Sequence, residues 1–386
     1  METLAPPVRP SPHRGTPPLF KNSWCAPAIA ALWAGLVFSG PGRAQDARQE
    51  IDRQVASFEK RIQSGSDSEP NWKDAKPNLL KNLTMVRDNL AAGRTLLGLA
   101  QLGSIGPNLM GLETVAGNPE IVKNGNSAFE QEWKRREAKL GASTSQFKNI
   151  RWDGKPSALR AISEASWVET RALLEASKPY AAATQVQAGL YYLGRSQGSA
   201  DFAFFCQRLS LKAAKPAPSY RSLAPEIEVL QGRVIAAYQP PASIDHHSEF
   251  IQINAAIKTA KELDAAQLYF GALYKYLDAT RLFASLTAKN PGTEQVSRLQ
   301  ADAAEFRRTL SAADVDGSIG EIFLERAESA IATFTANQSD PSQLKAAQVA
   351  LDTVLPAYLA AIDKPLPAAA PVNHVINVTL VRWPYT

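Results

Sequence analysis

The chain has 386 residues, of which 45% are apolar and 20% charged, which is enough for one large or two ordinary domains with a packed core. This composition excludes a disordered chain. Its 42 Lys and Arg against 37 Asp and Glu give a formal charge of +5, but much of that excess lies in the first 44 residues. Without them 38 cations face 36 carboxylates, and because nucleic-acid binders carry clustered basic faces, a nucleic-acid partner is not predicted.

The N-terminus has the order of a secretory signal peptide. Arg14 and Lys21 precede an apolar run over 26–38, and small residues follow, with Gly42 and Ala44 at the −3 and −1 positions of a cleavage site. The alternative is an uncleaved membrane anchor, but the run is shorter than the roughly 20 residues that a span needs. The sequence therefore predicts an exported protein, periplasmic or extracellular, with no membrane span once residues 1–44 are removed.

Cysteine usage limits how the mature chain is stabilised. After residues 1–44 it keeps only Cys206, so it can form no internal disulfide. Cys206 falls on an apolar stripe of helical period, where we expect a small buried side chain rather than a reactive thiol.

Helical periodicity predicts an all-α fold of stacked helical hairpins, either an α-solenoid or an irregular helical array, with a short C-terminal strand-like tail. The predicted helices cover 46–63, 71–103, 127–140, 157–177, 226–238, 243–289, 294–310, 319–337 and 342–362. Loops are predicted at 110–126 and 141–156. The predicted segments are a signal peptide (1–44), an N-terminal helical region with long loops (45–156), a helical-hairpin domain (157–364), and a Pro/Ala spacer with the tail (365–386).

The stretch 179–216 carries the most complete local pattern, and it predicts one helical hairpin. Each arm has an apolar stripe, Gly194 and Gly198 supply a turn, Ser199 is placed to cap the second arm, and Pro216 ends it. In the tail, residues 375–383 alternate with a period of two. Such a strand either packs along its own helical body or adds to a sheet edge elsewhere.

A family resemblance appears in residues 277–291. Ala279 is followed by Phe283 four residues later, by Leu286 three residues after that, and by Pro291 at the close. This segment resembles the second helix of a tetratricopeptide repeat, although the preceding helix has Ala266–Gln267 where that family favours Leu-Gly. The resemblance implies an α-solenoid that presents a concave surface to a peptide or protein and performs no chemistry.

Two acidic segments contain ligand types used by metal sites. Asp245, His246, His247 and Glu249 combine imidazole with carboxylate, as zinc sites do, but adjacent histidines point to different faces of a helix. A polar helix start after a proline pair explains the run more simply. The segment 314–317, Asp-Val-Asp-Gly, has the opening of a calcium loop with its glycine too early, and a capped helix start accounts for it.

Two functions from different classes fit these patterns. The first is an exported, non-catalytic helical scaffold that binds a protein or peptide of the cell envelope. The alternative is a helical carbohydrate-active enzyme or sugar-binding protein whose tryptophans line a groove: Trp72, Trp133, Trp152 and Trp167. The sequence singles out no pair of catalytic carboxylates, and we assign no catalytic, cofactor-binding or metal residue. The direction in which the tryptophans point separates the two hypotheses.

Overall fold

The computed structural model describes residues 41–67, 69–182, 185–240, 243–337 and 340–362, and every regular element in these ranges is helical. The all-α class is therefore confirmed for the described part of the chain. The helices are α1 (Pro41–Ser64), α2 (Pro70–Ala91), α3 (Thr95–Ala116), α4 (Pro119–Asn124), α5 (Asn126–Lys148), α6 (Ser157–Ala182), α7 (Val186–Arg208), α8 (Ala224–Ala237), α9 (His247–Ala265), α10 (Tyr269–Thr287), α11 (Val296–Ala312), α12 (Ser318–Ala336), α13 (Pro341–Val349) and α14 (Leu355–Ile362).

Three short helical turns of other types lie at the ends of these helices. Single 3₁₀ turns at Ile244–His246 and Thr293–Gln295 lead into α9 and α11, and a π-helical turn, Ala350–Val354, joins α13 to α14. Within the described ranges, no helix has the length and apolar character needed to span a bilayer. The predicted signal peptide, apart from its last residues, and the predicted strand-like tail lie outside the described residues.

Helices that are distant in sequence form the centre of the molecule. α3 packs along both α2 and α7, α7 packs along α6, α6 along α10, and α10 along α9, which contacts α8. α12 contacts α3 and α6 as well as its sequence neighbours α11 and α13. One large cluster of buried apolar side chains includes residues from α1, α2 and α3 together with residues from α6 through α14.

The predicted hairpin at 179–216 is wrong, because residues 186–208 form one continuous helix, α7. Gly194 and Gly198 lie in its interior, on the face that packs against α3. A Cβ atom at Gly198 would lie 2.6 Å from the Cα of Pro107, and one at Gly194 would lie 2.5 Å from the backbone oxygen of Met110. The glycines therefore serve close helix contact rather than a turn.

The other predicted breaks are also displaced. The loop predicted at 110–126 is wrong, since α3 continues through Pro107 to Ala116 and α4 covers Pro119–Asn124. The loop predicted at 141–156 is wrong in its first half, because α5 extends to Lys148, and correct for 149–156. Conversely, the long helices predicted at 71–103 and 243–289 each divide in two. Gly93 with φ 78° separates α2 from α3, and Gln267 with φ 60° separates α9 from α10. Burial of α3 offsets the hydrogen bond that its internal proline removes.

At the starts of several helices, backbone N–H groups donate hydrogen bonds to carboxylates from other parts of the chain. Glu325 of α12 accepts the backbone N–H of Leu97 in α3 at 2.6 Å, and Glu164 of α6 accepts that of Gly271 in α10 at 2.8 Å. Asp264 of α9 accepts the N–H of Leu223, just before α8, at 2.7 Å. These bonds satisfy N–H groups that a helix leaves unpaired in its first turn, so they link helices to one another as well as capping them.

Candidate functional site

The predicted imidazole and carboxylate run lies on the surface at the start of α9. The Nδ1 of His247 is 2.9 Å from the hydroxyl of Tyr238, and the Nδ1 of His246 is 3.8 Å from Glu249. No group of three or more potential metal ligands occurs in the part of the chain that the structure describes. The polar helix start is the observed structure, and His374 lies outside the described residues.

The segment 314–317 is a capped helix start, as predicted. Asp316 is buried, and its carboxylate accepts the backbone N–H of Ser318 at 3.3 Å and the Ser318 hydroxyl at 2.8 Å. It also accepts the backbone N–H of Ser157, the first residue of α6. The Asp316 carboxylate, which suggested a calcium ligand, thus accepts hydrogen bonds at the starts of α6 and α12.

The four tryptophans do not line one groove. Trp72 is buried in the large core cluster, whereas Trp133 belongs to a separate cluster between α5, α6 and α7. Trp152 packs against the large cluster, and Trp167 stacks on Phe147. Cys206 is fully buried, as predicted, and burial raises the pKa of its thiol well above its usual range.

A cleft arises because α5 is held against α6 and α7 at two separate places. Near the start of α5, Trp133 is buried and its indole N–H donates to the backbone oxygen of Leu174 at 3.0 Å. At the other end, Phe147 stacks on Trp167 with ring centroids 4.6 Å apart, and Phe204 of α7 meets the Trp167 ring edge-on at 5.7 Å. Between these two anchors the helices leave an open cavity of about 320 Å³.

The lining of this cleft is mainly polar and cationic. It combines cations, amides and hydroxyls with a few apolar groups: Arg136, Lys139, Leu140, Ser143, Gln146, Thr170, Ser196, Gln197, Ala200, Asp201, Phe204 and Arg208. Asp201 is the sole carboxylate in that set. Small-molecule pockets are usually lined mainly by apolar side chains, so this mainly polar lining suits a polar ligand, and the volume suits a few side chains.

The three cations of the cleft differ in how far they are neutralised. Arg136 donates to Glu132 at 2.7 Å. Burial alone would raise the pKa of Glu132, but its hydrogen bonds from Arg135 and Arg136 lower that pKa overall, so the carboxylate stays charged and neutralises Arg136. The Lys139 ammonium group donates to the amide oxygen of Gln197, at 3.3 Å, and the Arg208 guanidinium forms no hydrogen bond or ion pair within the described residues.

A second, smaller cavity of about 230 Å³ lies between α8, α10 and the π-helical turn. Its charged groups already have partners: Asp352 pairs with Arg298 at 3.2 Å, and the Arg233 guanidinium lies over the Phe283 ring at 5.4 Å. The cleft beside α5 is therefore the better candidate for a functional site.

Sequence reasoning placed Trp167 among the candidates but missed Lys139, Phe204 and Arg208. A signal existed in α7, where Ser196, Ala200, Phe204 and Arg208 follow one another at steps of four residues and so share one helix face. That face becomes visible only when residues 186–208 are taken as one helix, which the predicted turn at Gly194 and Gly198 prevented.

No protein-family model matches this sequence, and comparisons with curated proteins and with solved structures give no match either. The resemblance of residues 277–291 to a tetratricopeptide helix therefore gains no support from these comparisons. In the structure this segment covers the second half of α10 and the turn after it, with Ala279 and Phe283 buried.

Proposed function

We propose that the protein is an exported, non-catalytic helical scaffold that binds a protein or peptide of the cell envelope. The cleft between α5, α6 and α7 supports this proposal, because its lining offers amide, hydroxyl and guanidinium groups that can hold an extended segment. Its only carboxylate, Asp201, accepts a hydrogen bond from Gln197 at 2.6 Å. The export step and the cell-envelope location rest on the predicted signal peptide.

The packing favours the irregular helical array over the α-solenoid as the form of this scaffold. In a solenoid each hairpin contacts only its neighbours in sequence. Here α3 packs on α7, and α12 contacts α3 and α6. The proposed binding surface is therefore a cleft beside one helix rather than the concave face of a repeat array.

Sugar binding is the second candidate, and one observation favours it. Phe204, in contact with Phe147 and Trp167, lies beside the hydroxyls of Thr170 and Ser196. Aromatic rings next to hydrogen-bonding groups also occur in sugar sites, where a ring stacks flat on a sugar. The stacking of Phe147 on Trp167, however, already covers one face of each ring.

Selection from a random peptide library on the purified chain 45–386 tests the peptide proposal. Ser143 faces the cleft and is half-buried, so Ser143→Trp should fill the cavity. Ser145→Trp is the matched control, because Ser145 lies on the same helix, is exposed, and does not line the cavity. We expect the selected peptides to bind the wild type and S145W alike, and to bind S143W at least about tenfold more weakly.

Thermal unfolding of all three proteins establishes that S143W is folded. Peptides that bind S143W as well as the wild type would place binding outside the cleft and contradict the proposal. A ligand is S143W-sensitive if it binds S143W more weakly than the wild type. If the selection yields no S143W-sensitive peptide but a glycan array yields S143W-sensitive glycans, the sugar-binding alternative is established instead.

A further inference from the structure

The helices α5 and α7, which line the cleft, each carry more cations than carboxylates, although the chain after residue 44 is nearly neutral overall. α5 carries five Lys and Arg against three Glu, and α7 carries two Arg against one Asp. These two helices form opposite walls of the cleft. In contrast, α6 between them has three cations and three carboxylates. The two helices that form these walls therefore carry a net positive charge, whereas α6 carries none.

Two cations of this cleft are free to take an anionic ligand. Lys139 and Arg208 are exposed, on different walls, and neither is paired with a carboxylate in the described residues. Lys139 instead contacts Gln197, whose amide N–H donates to Asp201. A carboxylate entering the cleft could therefore pair with either cation without first breaking an existing ion pair.

The hydrogen-bonding groups fit a peptide better than another polyanion. Gln146 presents a side-chain amide, which can both donate to and accept from a peptide backbone, whereas the Gln197 amide already contacts Lys139 and Asp201. The apolar groups Leu140, Ala200 and Phe204 offer contact area for side chains between the charges. A sugar that stacks on an aromatic ring would find one such ring in this lining, Phe204.

We infer that the ligand of this cleft is an acidic peptide segment, with Asp or Glu side chains paired to Lys139 and Arg208 and an apolar side chain against Phe204. This inference rests on the proposed peptide-binding function and specifies the chemistry of the partner. It also predicts salt-sensitive binding, because exposed charge pairs are screened over about 10 Å at 0.1 M salt.

The same random peptide library tests the inference, with the double variant Lys139→Ala/Arg208→Ala beside the wild type. Peptides selected by the wild type should contain about twice the Asp and Glu share of the starting library, and that enrichment should vanish for the double variant. The individual peptides should bind the double variant about tenfold more weakly. Lys134→Ala is the control, since Lys134 is exposed on α5 and does not line the cleft.

Two results would overturn the inference while leaving the proposed function intact. The first is that the selected peptides bind S143W more weakly than the wild type but are not enriched in Asp and Glu. The second is that the double variant still selects acidic peptides, or that K134A loses the acidic enrichment to the same extent as the double variant. Competition supplies a further test: polyglutamate should displace a selected peptide, whereas tighter displacement by polygalacturonate would assign the cleft to acidic sugars. If no selected peptide is sensitive to S143W, the proposed function itself fails.

Discussion

Replacing Gly198 by alanine is expected to lower the free energy of unfolding by about 2–4 kcal/mol. The new Cβ would lie 2.6 Å from the Cα of Pro107 and 3.0 Å from the backbone oxygen of Gly106. Both are backbone atoms of α3, so no side chain can rotate away, and either α3 or α7 must shift within the core. Urea denaturation of the purified chain measures the change.

Gly232 provides the matched control for this substitution. It lies inside α8, is exposed, and a Cβ there would meet no atom within 4 Å. Alanine at this position should stabilise the protein by about 0.5–1 kcal/mol, because it restricts the unfolded chain and favours the helix. If G198A were as stable as the wild type, α3 and α7 could not be in contact at Gly198.

The contrast between these glycines shows why the sequence predicts the helical class but not the helix boundaries. Apolar periodicity depends on local spacing, and it identified most of the helices correctly. A glycine, however, permits a turn, as at Gly93 with φ 78°, and it equally permits close packing, as at Gly198. Only the position of a second helix, distant in sequence, distinguishes the two roles.

The boundaries at the helix starts depend on distant residues in the same way. α3, α8 and α10 receive no side-chain cap from their own N-cap residues. Their first N–H groups are bound by carboxylates from elsewhere, and Glu325 is 228 positions from Leu97. The candidate cleft was hidden for the same reason, since its walls come from α5 and α7 and its charges meet only after folding.

Glu325 should make the stability of the protein depend on pH. It is buried, and burial raises its pKa to about 8, above the value of about 4.3 for an unfolded chain. Between these two values the folded state binds a proton that the unfolded state releases. The free energy of unfolding therefore falls as pH rises from about 5 to 8, and the contribution of the neutral Glu325 is fully present only below that window.

Glu325→Gln should remove this dependence, because the amide is neutral and keeps an oxygen that can accept the Leu97 N–H. We expect the stability of E325Q relative to the wild type to increase by about 2–4 kcal/mol between about pH 5 and pH 8. The charged groups around the site stay in place: Arg94, Arg307, Glu321 and Glu328. Urea denaturation at a series of pH values measures the difference.

Glu328→Gln is the control for this pH series. Glu328 lies on the same helix, but Arg307 donates to it at 2.6 Å and 2.9 Å, and it is partly exposed. Because the Glu328 charge helps to raise the pKa of Glu325, E328Q should weaken the pH dependence slightly, by about 1 kcal/mol or less over the same range, and should not remove it. A stability difference for E325Q that does not change with pH would show that Glu325 remains ionised in the fold. The start of α3 would then be held by a charged carboxylate, which a helix N-terminus also favours.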